Sequence, residues 1–305
     1  MSKTDLAGKR IAITGGARGI GAATALLLAQ RGAAVALGDI DENLVTRTAA
    51  TTAAATGARV SGLRLDVTDR ASFAAFLDAA EERLGGLDVL INNAGIMPTG
   101  GFLDESDPLT DRQIDINVHG VITGSKLAGR RFAARGSGHI VNIGSVAGIS
   151  AAPGVAVYCA TKHAVVGLGS ALHQELAPLG VTVTTIAPGF VDTELIAGLS
   201  PNWLVRQIGM VQPEDVGNAI VTAIVHRRGG FRTVPRLGGF LLKSLLPLPE
   251  NFRNTLYGAL GLQHVTLDTD ERVRAAYRDR TEMATAAEES VAQVTSIARR
   301  AGRDS

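Results

Sequence analysis

Cys159 is the only cysteine in this 305-residue chain, so no disulfide can form within it, and a reducing compartment is expected. Long apolar runs are missing too. No stretch reaches the roughly 18 apolar residues that a membrane-spanning helix needs. The opening residues, MSKTDLAGKR, hold no apolar segment of the kind a secretory signal requires, and the cytoplasm is the expected location. Neither sign of charge dominates: 30 Lys and Arg stand against 29 Asp and Glu, a net charge of +1. That balance argues against nucleic acid or a strongly acidic partner. Arg299, Arg300 and Arg303 read as a solvated tail. No internal repeat of fixed period occurs. His119, His163 and His173 share no face with carboxylates or a thiol at metal-ligand spacing, so no metal is expected.

What is present is apolar and punctuated. Hydrophobic residues make up 46% of the chain, and its 36 glycines cluster where apolar runs end. Short β-branched runs alternate with longer helical periodicity. Strands are expected at Arg10–Thr14, Ala33–Asp39, Arg59–Asp66, Val89–Asn92, His139–Ile143, Val181–Ala187 and Phe231–Val234. The intervening helices include Gly19–Arg31, Glu42–Ala55, Asn117–Arg135, Val155–Ala177 and Pro213–His226. Apolar strands alternating with helices predict an α/β fold, a doubly wound parallel sheet of Rossmann type with about seven strands. Residues 1–235 form the expected catalytic domain, and residues 236–305 a C-terminal helical extension.

The first strand runs into Thr14-Gly15-Gly16-Ala17-Arg18-Gly19-Ile20-Gly21, and a helix opens within this segment. Glycines there allow a tight turn and a close approach to a pyrophosphate, while the helix N-terminus offers unpaired N–H groups. Asp39 ends the second strand. An acid at that point either accepts hydrogen bonds from the ribose hydroxyls, favouring NAD over NADP, or caps the next helix; Asp41 is a second candidate for capping. Arg18 is the contrary feature, since a cation in the loop suits a 2′-phosphate. Asp66-Val67 ends the third strand, where it either meets an adenine edge or caps the helix that follows. Asn92-Asn93-Ala94-Gly95 ends the fourth, leaving room for flat groups and placing amides to tie strand ends together.

Tyr158 and Lys162 stand four residues apart, one helical turn, and so share a face. A phenol with its ordinary pKa near 10 is a poor base at neutral pH, and an adjacent ammonium lowers that value. Such a pair can act as a general acid/base. Ser145, just after the fifth strand, lies at the same sheet edge, where it either holds a substrate oxygen or serves as a turn residue.

Taken in order, these motifs, with Asn117, Pro188-Gly189 and Thr193, resemble the classical short-chain dehydrogenase/reductase family over roughly Gly8 to Val234. The resemblance implies an NAD-dependent alcohol/carbonyl oxidoreductase. Tyr158 would be the acid/base. Lys162 would bind the nicotinamide ribose and lower the Tyr158 pKa, and Ser145 would orient the carbonyl. Asn117 would hold a water in a proton path from Lys162. Pro188-Gly189 would pack by the nicotinamide, and Thr193 would contact its carboxamide. Gly15, Arg18, Gly19, Ile20, Gly21, Asp39, Asp66, Val67, Asn93, Ala94, Gly95 and Val191 complete the implied cofactor-binding set. A homodimer or homotetramer is the family expectation. A non-catalytic dinucleotide-binding regulatory or scaffold protein is the alternative.

Trp203, Leu204, Ile208 and Met210 suggest an apolar substrate wall, with Met97, Phe102 and Leu103 opposite. The apolar run Val234–Pro247 weakly resembles the C-terminal part of the retinol and hydroxysteroid dehydrogenase branch. It either packs on its own domain, lines a subunit contact, or lies on a lipid surface with Lys243 and Arg253 reaching to water.

Overall fold

The computed structural model describes residues 5–199, 209–259, 266, 270, 272–275 and 277. The strands are β1 (Arg10–Thr14), β2 (Ala34–Asp39), β3 (Val60–Arg64), β4 (Val89–Asn92), β5 (Gly138–Ile143), β6 (Val181–Pro188) and β9 (Gly230–Val234), with a short side pair β7 (Phe190–Val191) and β8 (Met210–Val211). The helices are α1 (Gly19–Ala29), α2 (Glu42–Thr56), α3 (Arg70–Leu84), α4 (Asp107–Ile114), α5 (Gly120–Ala134), α6 (Ala156–Leu176), α7 (Pro213–Val225), α8 (Arg236–Leu245) and α9 (Glu250–Ala259).

The main sheet has seven strands, all parallel, in the order β3-β2-β1-β4-β5-β6-β9. Strand order reverses between β1 and β4, the position where doubly wound sheets open a ligand crevice. Both faces are covered, as crossover helices require. Side-chain alternation divides the core. Ile11 and Ile13 of β1 join Leu28 of α1 and Ile220 of α7 on one face. Ala12 faces the other way, toward Phe73 and Leu77 of α3 and Phe132 of α5. Each of the Ile, Leu and Phe side chains contributes about 1.5–3 kcal/mol on burial.

Local signals set the helix ends. The Asp41 carboxylate accepts from Leu44 N at 3.0 Å and starts α2, and Asp69 accepts from Ala71 N at 2.9 Å and starts α3. At α7, Gln212 and Asp215 form a capping box with Pro213 in the first turn. The helix expected at Asn117–Arg135 begins earlier and is irregular. It runs from Asp107 as α4, passes through a π-helical turn at Asp115–His119, and continues as α5. The extra residue in that turn aims the Asn117 side chain inward, where it is wholly buried. Among the described residues, no helix is long and apolar enough to cross a membrane.

Candidate active site

The glycine loop meets the ends of β1 and β4. Gly15 sits at φ +64° and Gly19 at φ +54°, both in the left-handed region. A Cβ on Gly15 would lie 2.8 Å from Ala94 Cα, so only glycine lets the two segments touch. The Thr14 hydroxyl accepts from the backbone N–H groups of Asn93 and Ala94, each at 3.0 Å. Asn93 Nδ2 donates to the carbonyls of Thr14 at 3.0 Å and Gly15 at 2.9 Å. One residue back, Asn92 Nδ2 donates to Asn142 Oδ1 at 2.9 Å, tying β4 to β5 as its position suggested. Helix α1 starts with no side-chain cap and no acid in its first turn. Its N-terminus and the glycine cradle together fit a dinucleotide pyrophosphate.

At the end of β2, Asp39 is not a helix cap; Asp41 fills that role. The Asp39 carboxylate instead accepts from Ala17 N and Asp41 N, both at 3.1 Å, which fixes it beside the glycine loop. Arg18 is paired with Asp41 at 3.0 Å and with Glu194 at 3.4 Å. Asp66 caps its own turn, accepting from Thr68 N at 2.9 Å and from Thr68 Oγ1 at 2.7 Å, while Asp69 starts the helix. Val67 packs against the start of α5 at Gly120.

Tyr158 and Lys162 lie on one face of α6, both buried, with Lys162 Nζ 5.5 Å from the Tyr158 ring centroid. Ser145 caps the 3₁₀ turn at Val146–Gly148, accepting from Ala147 N at 3.1 Å, and it lines the same cavity as Tyr158. Capping the turn and facing the cavity therefore coexist in one residue. Burial pushes the Tyr158 phenol well above its ordinary value, and Ser145 pulls weakly against that rise. The lowering expected from Lys162 is not found: burial dominates, and Lys162 is not among the groups that move the phenol. Lys162 Nζ donates to Ile143 O at 3.0 Å, and burial brings its pKa down to about 8. Cys159 accepts from Ala152 N at 3.4 Å and burial raises its thiol, in keeping with an inert side chain.

Asn117 is engaged more tightly than the sequence suggested. Its amide donates to Ile96 O at 2.8 Å and Thr161 Oγ1 at 3.2 Å, and its Oδ1 accepts from Ile96 N at 2.9 Å. It behaves as a surrogate strand partner for the segment after β4. A Cβ on Gly95 would lie 3.1 Å from Asn117 Oδ1 and 3.6 Å from Lys162 Nζ, so these groups converge there.

A cavity of about 370 Å³ opens above Tyr158, Ser145 and Lys162. Ile20, Asn93, Gly95, Pro188, Gly189, Val191 and Thr193 border one end, and Met97, Val155, Leu195 and Ile196 the other. Of the wall expected after β4, only Met97 lines it. Phe102 and Leu103 are 66% and 92% exposed and point away, which corrects that expectation. Trp203, Leu204 and Ile208 lie outside the described residues. Met210 sits in β8 and pairs with Phe190. Sequence reasoning did not foresee that α8 and α9 complete the cavity, through Leu242 and Leu245 and through Tyr257. The apolar periodicity of Val234–Pro247 was the available signal. One face of α8 packs on its own domain, the first of the three readings offered for that run.

Comparison with known proteins points the same way. Residues 9–202 match the family model described as short chain dehydrogenase. A 2,5-dichloro-2,5-cyclohexadiene-1,4-diol dehydrogenase of Sphingobium indicum is 40% identical over 215 residues, spanning 70% of this chain and 86% of its own. A cis-4-hydroxycyclohexanecarboxylate dehydrogenase of Sinomonas cyclohexanicum is 42% identical over 220 residues, covering 70% and 88%. Among solved structures, a short chain dehydrogenase/reductase from Burkholderia phymatum in complex with NAD aligns with a TM-score of 0.67 at 31% identity, covering 76% of this chain and 90% of that one. Architecture, motif order and these relatives agree: the chain belongs to the short-chain dehydrogenase family of oxidoreductases.

Proposed function

We propose that the protein is an NAD-dependent dehydrogenase of a secondary alcohol carried on an apolar, ring-sized skeleton. The observation that carries this reading is that Ser145, Tyr158 and Lys162 line one apolar cavity together, with Lys162 Nζ 5.5 Å from the Tyr158 ring centroid. Two relatives whose names describe ring alcohols support the substrate class.

Gly15, Gly19 and the N-terminus of α1 would hold the pyrophosphate, and Asp39 the adenosine ribose. Asp39 beside the loop favours NAD, and so does Arg18, whose charge is already paired with Asp41 and Glu194. Asp66 and Val67 would border the adenine. Pro188, Gly189, Val191 and Thr193 would flank the nicotinamide. When bound, NAD supplies the acceptor for the hydride leaving the carbinol carbon. Ser145 holds the substrate oxygen. Tyr158 takes the hydroxyl proton at its phenolic oxygen, or returns it to a carbonyl in the reverse direction. Burial favours the protonated phenol, the form that donates to a carbonyl; oxidation of an alcohol requires the phenolate, which the ammonium of Lys162, 5.5 Å from the ring centroid, would favour. The apolar walls exclude water from the exchange.

We further propose a cytoplasmic homodimer or homotetramer, with residues 236–305 as an extension whose helices α8 and α9 wall the site rather than a separate catalytic unit.

The test is nicotinamide absorbance across a panel of secondary alcohols and ketones, with wild type and Tyr158→Phe, and with NAD or NADP. Turnover with NAD should fall by about 10²–10⁴-fold in the variant. Full turnover by Tyr158→Phe would overturn the mechanism, and tighter use of NADP would overturn the role of Asp39. Silence across the panel with NAD still bound would favour a dinucleotide-binding protein without turnover.

A further inference from the structure

Three loops border the substrate end of the cavity, and side chains from the C-terminal segment fasten all three by their backbones. Thr266 Oγ1 donates to Pro153 O at 2.6 Å, after β5. The Tyr277 hydroxyl accepts from Met97 N at 2.8 Å, after β4. Arg274 spans the gap. Its Nη2 donates to Met97 O at 2.9 Å, and its Nη1 donates to Ala197 O at 3.1 Å and Leu195 O at 3.3 Å, after β7. Arg274 is only 4% exposed, and its guanidinium lies 5.2 Å from the Tyr277 ring centroid. Asp270 N adds a bond to Gly198 O at 2.8 Å, and a Cβ on Gly198 would lie 2.8 Å from Arg274 Cγ.

Met97, Leu195 and Ile196 are wall residues of the cavity, on loops from opposite sides of it. A guanidinium is planar and always charged, so it can hold several carbonyls at fixed spacing where a single-point donor cannot. The contacts are to main-chain oxygens, so they fix where the loops stand whatever side chains the loops carry. The family model ends at residue 202, which leaves Arg274 and Tyr277 beyond the part of the chain it describes.

We propose that Arg274, seconded by Tyr277, is a positioning residue that clamps the two loops across the substrate pocket and so sets its size selectivity. This rests on the proposed alcohol-dehydrogenase reading. Arg274 acts through the backbones of Met97, Leu195 and Ala197.

The test compares the full-length wild type with Arg274→Met, which keeps apolar bulk without donors, and Arg274→Lys, which keeps the charge without the planar fork. Hydrogen exchange read at the Met97 and Asp270 amides probes the clamp without turnover. Exchange there should quicken by at least about tenfold in Arg274→Met, while β4 and β5 amides keep their protection, because hydrogen bonds to a charged group are lost. With cyclohexanol and bulkier ring alcohols, KM should rise about tenfold or more while kcat changes by less than about threefold, and the preference among ring sizes should flatten. NAD affinity should stay within about twofold, and Arg274→Lys should recover part of the KM effect. Unchanged exchange at Met97 and Asp270, or KM and size preference equal to wild type, would overturn the proposal. So would loss of protection across the β4 and β5 amides as well, since that marks Arg274 as a general prop of the fold. If wild type oxidises no alcohol, the oxidoreductase reading fails, and the exchange measurement still decides the clamp.

Discussion

Lys162 is held at a thermodynamic disadvantage. Its ammonium is 4% exposed and has one backbone carbonyl, Ile143 O, as its hydrogen-bond acceptor. Burial lowers its pKa from 10.5 to about 8. Between those two values the unfolded chain binds more protons than the folded one, so stability rises with pH across that window. Below about pH 8 the folded state bears the full cost of a buried charge, on the order of 3 kcal/mol. Lys162→Met removes the cost. Urea unfolding should therefore show wild type gaining on the variant by about 3 kcal/mol between pH 8 and 10.5. A difference that stays flat with pH would contradict the buried-ammonium account. The variant should lose activity while not losing stability at neutral pH, the pattern of a group kept for chemistry.

Two helical glycines show how an element's surroundings reverse a propensity. Replacing an exposed glycine in a helix by alanine stabilises by about 1 kcal/mol. Gly167 on α6 has open space where a Cβ would stand, so Gly167→Ala should raise Tm. Gly21 on α1 has Gly15 O at 2.1 Å and Asn93 Nδ2 at 2.9 Å from that position, so Gly21→Ala should lower it and weaken NAD binding. Thermal melts of the two variants should move in opposite directions. The Gly21 position was readable from the loop pattern, and β4 was readable to the residue because four consecutive apolar or amide residues end at a turn. The π turn at Asp115–His119 was not. Its sequence, DINVH, carries no helix-breaking residue, and the bulge follows from where Asn117 finds partners, in Ile96 and Thr161. Helix periodicity also cannot report burial cost: the Tyr–Lys spacing put both side chains on one face of α6, where the structure has them, but gave a lowered Tyr158 pKa where burial raises it.

At the scale of the molecule, the doubly wound parallel sheet and the grouping of Ser145, Tyr158 and Lys162 follow from patterns along the chain, whereas the pocket walls come from segments far apart in sequence. Arg274 reaches Met97 across a separation of 177 residues, through carbonyls that leave no side-chain signature. The outer side of the extension remains apolar: Leu237 and Phe240 on α8 are 65% and 69% exposed, and Phe252 on α9 is 57% exposed.

The Arg18–Glu194 pair joins the glycine loop to the segment after Thr193, whose methyl lies 3.4 Å from where a Gly19 Cβ would stand. Both partners are more than a third exposed, so the pair adds little to stability. Its consequence is temporal. A strap of screened charge over the dinucleotide cleft loosens as ionic strength rises and the Debye length falls below about 8 Å. NAD release is therefore expected to quicken as salt rises, and Glu194→Gln should blunt that dependence when release is followed by stopped flow.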